Sequence, residues 1–361
     1  MDKRTESYRG CLLGLAVGDA MGYTVDNKSW TEICEDYGPN GLLGYDLANG
    51  CADITSYTQI AAFLSNGLLL AAIRGNPAQL PKFMALSLRE WAKSQQFLTN
   101  PDKTYCWLAQ VPKMRRRHCM DTRMLDALNK ETLGTPEKPM LYSTTPGAIT
   151  AAVAVGLGVI PANIDPQRIG RLGAEAIAYT HGEPESFLAG AFVAYAVAGI
   201  LQEPEKPIGV HFEHAADAVD TQFGAVYSQA AAVTGKIRKA MAMTKDADLT
   251  PLAALTLLGC TTAAECVAGA VYASMIHMSN FDEGIIAAVN HSGRSAAVGA
   301  LTGAFLGARL GSEALPDFYL ESLEAADVLC ELADDMTQSK LVMRIFDDSW
   351  DHKYVHGQPA R

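Results

Sequence analysis

Two stretches of this chain carry a glycine at every fourth position: Gly10, Gly14, Gly18 and Gly22 near one end, and Gly299, Gly303, Gly307 and Gly311 near the other. A glycine in a helix interior costs roughly 1 kcal/mol relative to alanine, so each run needs a compensating gain. At this spacing the glycines fall on one helix face and leave it bare, which lets a second helix backbone come close. The stripes predict two central helices. Chance in a glycine-rich chain explains them poorly, because the stripe occurs twice.

The remainder is also written in helical period. Apolar residues recur at three-and-four spacing, and alternating Val/Ile/Thr runs are scarce. The pattern predicts helices near 7–22, 56–73, 79–96, 120–130, 146–158, 165–180, 184–202, 211–235, 250–275, 281–290, 293–310, 316–336 and 339–346. Breaks rich in Gly, Pro and Asn fall at 38–52, 97–119, 134–145, 182–183 and 203–209. None is a long polar linker, so one all-α domain over residues 1–361 is expected.

With 49% hydrophobic and 19% charged residues, the 361-residue chain has ample material for a core, which excludes a disordered or fibrous protein. Forty acidic residues against 29 basic ones give a net charge of −11, which disfavours nucleic acid and anionic lipid as partners. The most apolar windows, 148–161 and 188–201, fall short of the roughly 20 residues of a membrane span, so no membrane partner is expected. No cleavable apolar leader is evident at the N-terminus, and the eight cysteines lack the spacing of a secreted scaffold. A cytoplasmic protein with reduced thiols is expected.

Four motifs, in order, carry a resemblance. The first glycine stripe runs through Gly18 and Asp19 to Asp26; Tyr179, Thr180, His181 and Pro184 form a Thr-His-x-x-Pro turn; a helical segment spans Ala254 to Glu265; and Phe281 leads through Asn290 and His291 to Gly293. Together they are similar to the ADP-ribosylglycohydrolase family, hydrolases that remove ADP-ribose from arginine, serine or small-molecule acceptors. The resemblance implies an orthogonal all-α bundle and an ADP-ribose-type small molecule or an ADP-ribosylated protein as partner.

It also implies a pair of magnesium ions held by carboxylates, a donor set suited to a hard cation. The family's first ligand cluster, Thr-Asp-Asp-Thr, corresponds here to Thr55, Ser56, Tyr57 and Thr58. The second, Gly-Gly-Asp-x-Asp-Thr, corresponds to Ser292, Gly293, Arg294, Ser295, Ala296 and Ala297. All four carboxylates are gone, only Thr55 among the six family ligand positions keeps a matching residue, and no metal cofactor is expected. Losing four carboxylates with two dications is about neutral, and Arg294 then leaves the pocket positive, suited to a diphosphate. Two roles stay open for Arg294, replacing the metal's charge or pairing with a neighbouring acid, and two for Tyr57, stacking on a ligand or filling the vacated volume.

The remaining family positions are mixed. Asp26 stands where the family carries a catalytic glutamate, shortened by about 1.5 Å, and is either a catalytic acid or a helix cap. Asp19 is expected to satisfy backbone donors near a helix end. Of the family's phosphate loop, Ser143 to Thr150 keeps only Gly147, with Thr144, Thr145 and Pro146 as a predicted helix cap and anion seat. His181 lies beside the ADP-ribose in the family, although a histidine at a helix–turn junction is commonly structural. The expected ligand-binding set is therefore Thr55, Ser56, Tyr57, Gly147, His181, Asn290, Ser292, Gly293, Arg294 and Ser295. The basic run Lys113 to His118 and the cluster Asp347, Asp348, Asp351, His352 and His356 are too local to define a nucleic-acid or metal site. Three functions are compatible: a non-hydrolysing binder of ADP-ribose or a related nucleotide, a metal-independent hydrolase using Asp26, and a structural protein reusing the fold, as the family's crystallin relatives suggest.

Overall fold

The computed structural model describes residues 2–47, 50–73, 77–97, 104–118, 121–159, 165–342 and 348–358. Apart from single bridges at Ala52–Leu323 and Thr135–Lys138, these residues contain no strand. The helices are α1 (Lys3–Val25), α2 (Trp30–Tyr37), α3 (Ser56–Ile73), α4 (Leu80–Gln95), α5 (Thr122–Leu128), α6 (Ala151–Val159), α7 (Pro166–Ala178) and α8 (Pro184–Gln202). They continue with α9 (Ile208–Phe223), α10 (Ala230–Met243), α11 (Pro251–Leu258), α12 (Ala263–Ile276), α13 (Phe281–Val289), α14 (Ser295–Leu310), α15 (Asp317–Ser322) and α16 (Ala326–Val342).

The glycine stripes meet. α1 and α14 run antiparallel, and a Cβ placed on Gly10, Gly14 or Gly18 would overlap the carbonyl oxygens of Gly307, Gly303 and Gly299. Gly22 faces the backbone of Ser295 and Ala296. Gly311 closes the seam: its backbone packs against Gly10 and Glu6, and it ends α14 with φ of +84°, a conformation that favours glycine. Backbone-to-backbone contact along this seam supplies the gain that the glycines require, and most residues of both helices are buried. Around the pair, α3, α8 and α12 are apolar on all sides and buried as well.

Punctuation accounts for where the elements differ from the periodic pattern. The stretch 211–235 is two helices, because α9 ends at Gly224 and α10 starts at Ala230. Likewise 250–275 breaks at Gly259, whose φ is +87°, and 316–336 breaks where Ala325 takes φ +61°. α2 has no counterpart in the pattern; it is a short helix started by a capping box between Ser29 and Glu32. The helix expected from 146 begins at Ala151, so Thr145 and Pro146 precede a run of turns and do not cap a helix. Part of the expected 339–346 helix continues α16, and 343–347, with Asp347, lies outside the described residues.

Two helices exceed the apolar lengths read from the sequence windows. Ser56–Ile73 and Pro184–Gln202 are long and apolar enough to cross a membrane by length and composition, but 83% and 72% of those windows are buried inside the bundle. The seven described cysteines are all free.

Candidate functional site

The register of α1 on α14 decides where two carboxylates go. Asp19 is fully buried; its Oδ1 accepts from the Thr55 hydroxyl at 2.6 Å, and its Oδ2 accepts from the Thr55 and Thr58 N–H groups at 2.8 and 3.1 Å. The Thr58 hydroxyl donates to the same Oδ2 at 2.6 Å. Asp19 thus caps the first turn of α3 from a neighbouring helix, where a carboxylate also meets the positive end of the dipole. Asp26, at the end of α1, does the same for α14: its Oδ1 accepts from the Ala296 N–H at 3.1 Å and its Oδ2 from the Asn27 amide at 2.7 Å. Burial pushes Asp19 up to about 6 against these hydrogen bonds, and burial likewise raises Asp26.

Those two helix starts form one wall of a cleft of about 470 Å³. Asp26, Thr55, Ser56, Tyr57, Arg294 and Ala296 line this side. His118, Asp121 to Met124 and the loop Thr145–Gly147 line the other. Tyr57 is buried, its carbonyl accepting from the Thr150 hydroxyl at 2.6 Å, and its ring occupies the wall beside Asp26. The Thr55 hydroxyl is committed to Asp19. Arg294 approaches Asp26 at 3.8 Å, too long for a hydrogen bond.

Several expected ligand contacts lie elsewhere because their polar groups are already engaged. Asn290 staples the chain at Leu42, its Oδ1 accepting from the Leu42 N–H and its amide donating to the Leu42 carbonyl, both at 2.8 Å. The Ser292 hydroxyl accepts from the Trp30 N–H at 2.7 Å, the Gly293 carbonyl accepts from the Asn27 N–H at 2.9 Å, and Ser295 donates to the His291 carbonyl at 3.3 Å. None of these four lines the cleft. His181 sits behind the cleft wall, its ring bonded to the Thr145 and Thr180 hydroxyls at 3.0 and 2.8 Å, and burial pushes it down to about 4. It is neutral and supports the Thr145–Gly147 loop, where a Cβ on Gly147 would press on its ring.

The cleft is not positive as a whole. Arg294 and Arg123 are balanced by Asp26 and Asp121, and Arg123 grips Asp121 through two bonds of 3.0 and 2.8 Å. The same balance bears on magnesium, which needs several oxygen donors in near-octahedral array. The two lining carboxylates each face a guanidinium, and among the described residues no group of three or more His, Cys, Asp or Glu side chains could hold a metal ion. This donor set does not fit a pair of dications.

His118, Asp121 and Arg123 belong to the cleft without having been marked in the sequence. Asp121 caps α5 by accepting from the Arg123 N–H at 3.0 Å, and an acid before a helical run is a recognisable start signal. His118 had no such signal. Its backbone N–H donates to Gln95 at 2.9 Å, which fixes the segment, while its Nε2 is buried with no partner. The basic run preceding it is largely used internally: Arg116 bridges Asp53 and Glu324 at 2.8 and 2.9 Å, and Lys113 approaches Asp327 at 3.6 Å.

The fold and the cleft at its paired helix starts define an all-α class already represented among solved structures. One, an ADP-ribosylglycohydrolase-related protein complex, aligns with a TM-score of 0.61 at 21% identity, covering 94% of this chain and 100% of that one. The sequence profile of the ADP-ribosylglycohydrolase family matches residues 1–346, and the chain belongs to that family. No curated protein matches the chain significantly.

Proposed function

We propose that the protein binds an ADP-ribose-type ligand, free or attached to a protein, without a dinuclear magnesium centre and without hydrolysing it. The observation that carries this reading is the pair of helix starts: Ser56 and Tyr57 on α3 and Arg294 on α14 face a cleft of about 470 Å³ where the family keeps its metal ligands. Among the described residues Arg294 has only its loose approach to Asp26 as a charged partner, so its guanidinium suits a diphosphate in two-point contact. Tyr57 offers a ring face for a ribose or base.

Calorimetry with ADP-ribose tests this. Binding is expected with the same affinity in the presence of excess Mg²⁺ and of chelator, and Arg294→Ala is expected to weaken it by about tenfold or more, as for loss of a charged hydrogen-bond donor. Affinity that requires Mg²⁺ overturns the metal-free reading, and no affinity in either condition points to a structural role. One observation favours a hydrolase: Asp26 lines the cleft with its carboxylate raised by burial, as a general base near neutrality requires. Turnover of ADP-ribosyl-arginine or ADP-ribosyl-serine that disappears in Asp26→Asn would establish that alternative.

A further inference from the structure

A second cavity, of about 790 Å³, shares no lining residue with the cleft. α7 presents Gln167, Arg171 and Glu175 to it at four-residue spacing, and α9 presents Asp217, Thr221 and Gln222, so two helix faces stand opposite each other across an open space. Tyr195, Phe223 and Tyr227 supply aromatic walls. The wall is held in place: the Tyr195 hydroxyl donates to Gln222 at 2.7 Å, and the Gln222 amide donates to the Gln167 carbonyl at 2.6 Å.

The charges inside are unequal in their partners. Asp217 pairs with Arg238 at 2.6 Å, a guanidinium it shares with Glu213 and Asp220. Glu137 and Glu175 also line the cavity, and among the described residues neither forms an ion pair. Glu175 accepts only a long hydrogen bond of 3.3 Å from the Tyr179 hydroxyl, which lies closer to the Pro81 carbonyl at 3.0 Å. Burial raises Glu175, the Tyr179 hydrogen bond works against it, the charge of Glu137 raises it further, and Arg168 acts the other way as the smallest of the four. Glu137 and Tyr227 line the same cavity, and the charge of Glu137 adds to burial in raising the Tyr227 hydroxyl. A cation seated at the two carboxylates offsets their repulsion and the lost hydration of Glu175, and the Tyr227 ring in the same wall is available for a cation–π contact. Arg171 at the rim is the one lining cation among the described residues.

We propose that this cavity binds a small organic cation, an ammonium or guanidinium on an apolar or aromatic body, with its charge at Glu137 and Glu175 and its body against Tyr195, Phe223 and Tyr227. The volume is that of a small-molecule site. The proposal is independent of what occupies the cleft.

Three probes of one shape separate the outcomes when titrated calorimetrically into the full chain: 2-phenylethylammonium, 2-phenylethanol and phenylacetate. The ammonium is expected to bind at least about tenfold more tightly than the other two. The Glu137→Gln, Glu175→Gln double variant is expected to abolish that preference while keeping the wild-type melting temperature. Glu137→Gln alone, at an exposed position, gives a partial loss even where the double variant fails to fold. Equal affinity for the three probes, preference for phenylacetate through Arg171, no heat from the ammonium up to about 10 mM, or a preference that survives the substitutions each overturns the proposal.

Discussion

Asp19 and Asp26 show how a helix start can be capped from a neighbouring element. Each carboxylate satisfies orphan N–H groups of a helix whose own first turn contains no acid, so the polar demand of the helix start is met from α1. The same scale holds a pH signature. His291 is fully buried, its two ring nitrogens make no hydrogen bond of ordinary geometry, and burial pushes it down to about 4, with the backbone of Ala288 and Ser292 acting weakly the other way. The unfolded chain takes up this proton near pH 6.5 and the folded chain does not, so the contribution is fully present above that pH and is lost as pH falls toward 4. In His291→Leu, the drop in unfolding free energy between pH 7 and pH 5 is expected to be smaller by about 2 kcal/mol than in the wild type. Urea titrations at the two pH values measure it, and equal drops refute it. Buried acids such as Asp19 and Glu90, raised by burial, act with opposite sign in both proteins and cancel in the difference.

At the scale of elements, the seam between α1 and α14 makes glycine compulsory at some positions and wasteful at others. Gly303→Ala would drive a methyl into the Gly14 carbonyl and is expected to cost about 3 kcal/mol or more. Gly235→Ala in α10, where a new Cβ meets nothing within 4 Å, is expected to stabilise by about 0.5–1 kcal/mol. Denaturant midpoints that move the same way in both variants would contradict the seam. Much of this was legible beforehand, since the stripes, the buried apolar helices and the acid at Asp19 follow from spacing and residue type. What was not legible depended on tertiary context. Periodicity carried 211–235 and 250–275 across glycines that in the folded chain terminate helices, and α2 was too short to show a period. In the site, Tyr57 and Arg294, marked because they replace motif residues, line the cleft, whereas Asn290 and Ser292, marked with them, do not, and nothing in the sequence reveals that Leu42 and Trp30 take up their hydrogen bonds. His118 reaches the cleft through a segment pinned by Gln95, a contact between residues with no shared pattern.

For the molecule as a whole, the two ends of the chain hold each other. α1 packs along α14, and Arg9 forms a two-bond ion pair with Asp334 of α16 at 2.6 Å. Neither terminal third can open while the other stays intact, so far-ultraviolet circular dichroism and tryptophan fluorescence are expected to report one coincident urea transition. Separate transitions would mean that the chain divides into independently stable parts.

The α1–α14 seam also sets a schedule for the newborn protein. Its first strip of bare backbone leaves the ribosome well before the matching strip, because 289 residues (299 − 10) separate Gly10 from Gly299. At about 5–20 residues per second the interval is on the order of fifteen to sixty seconds. Throughout that time an apolar, side-chain-poor helix has no partner, which makes the nascent chain a natural client for chaperones and its premature truncation a source of aggregates.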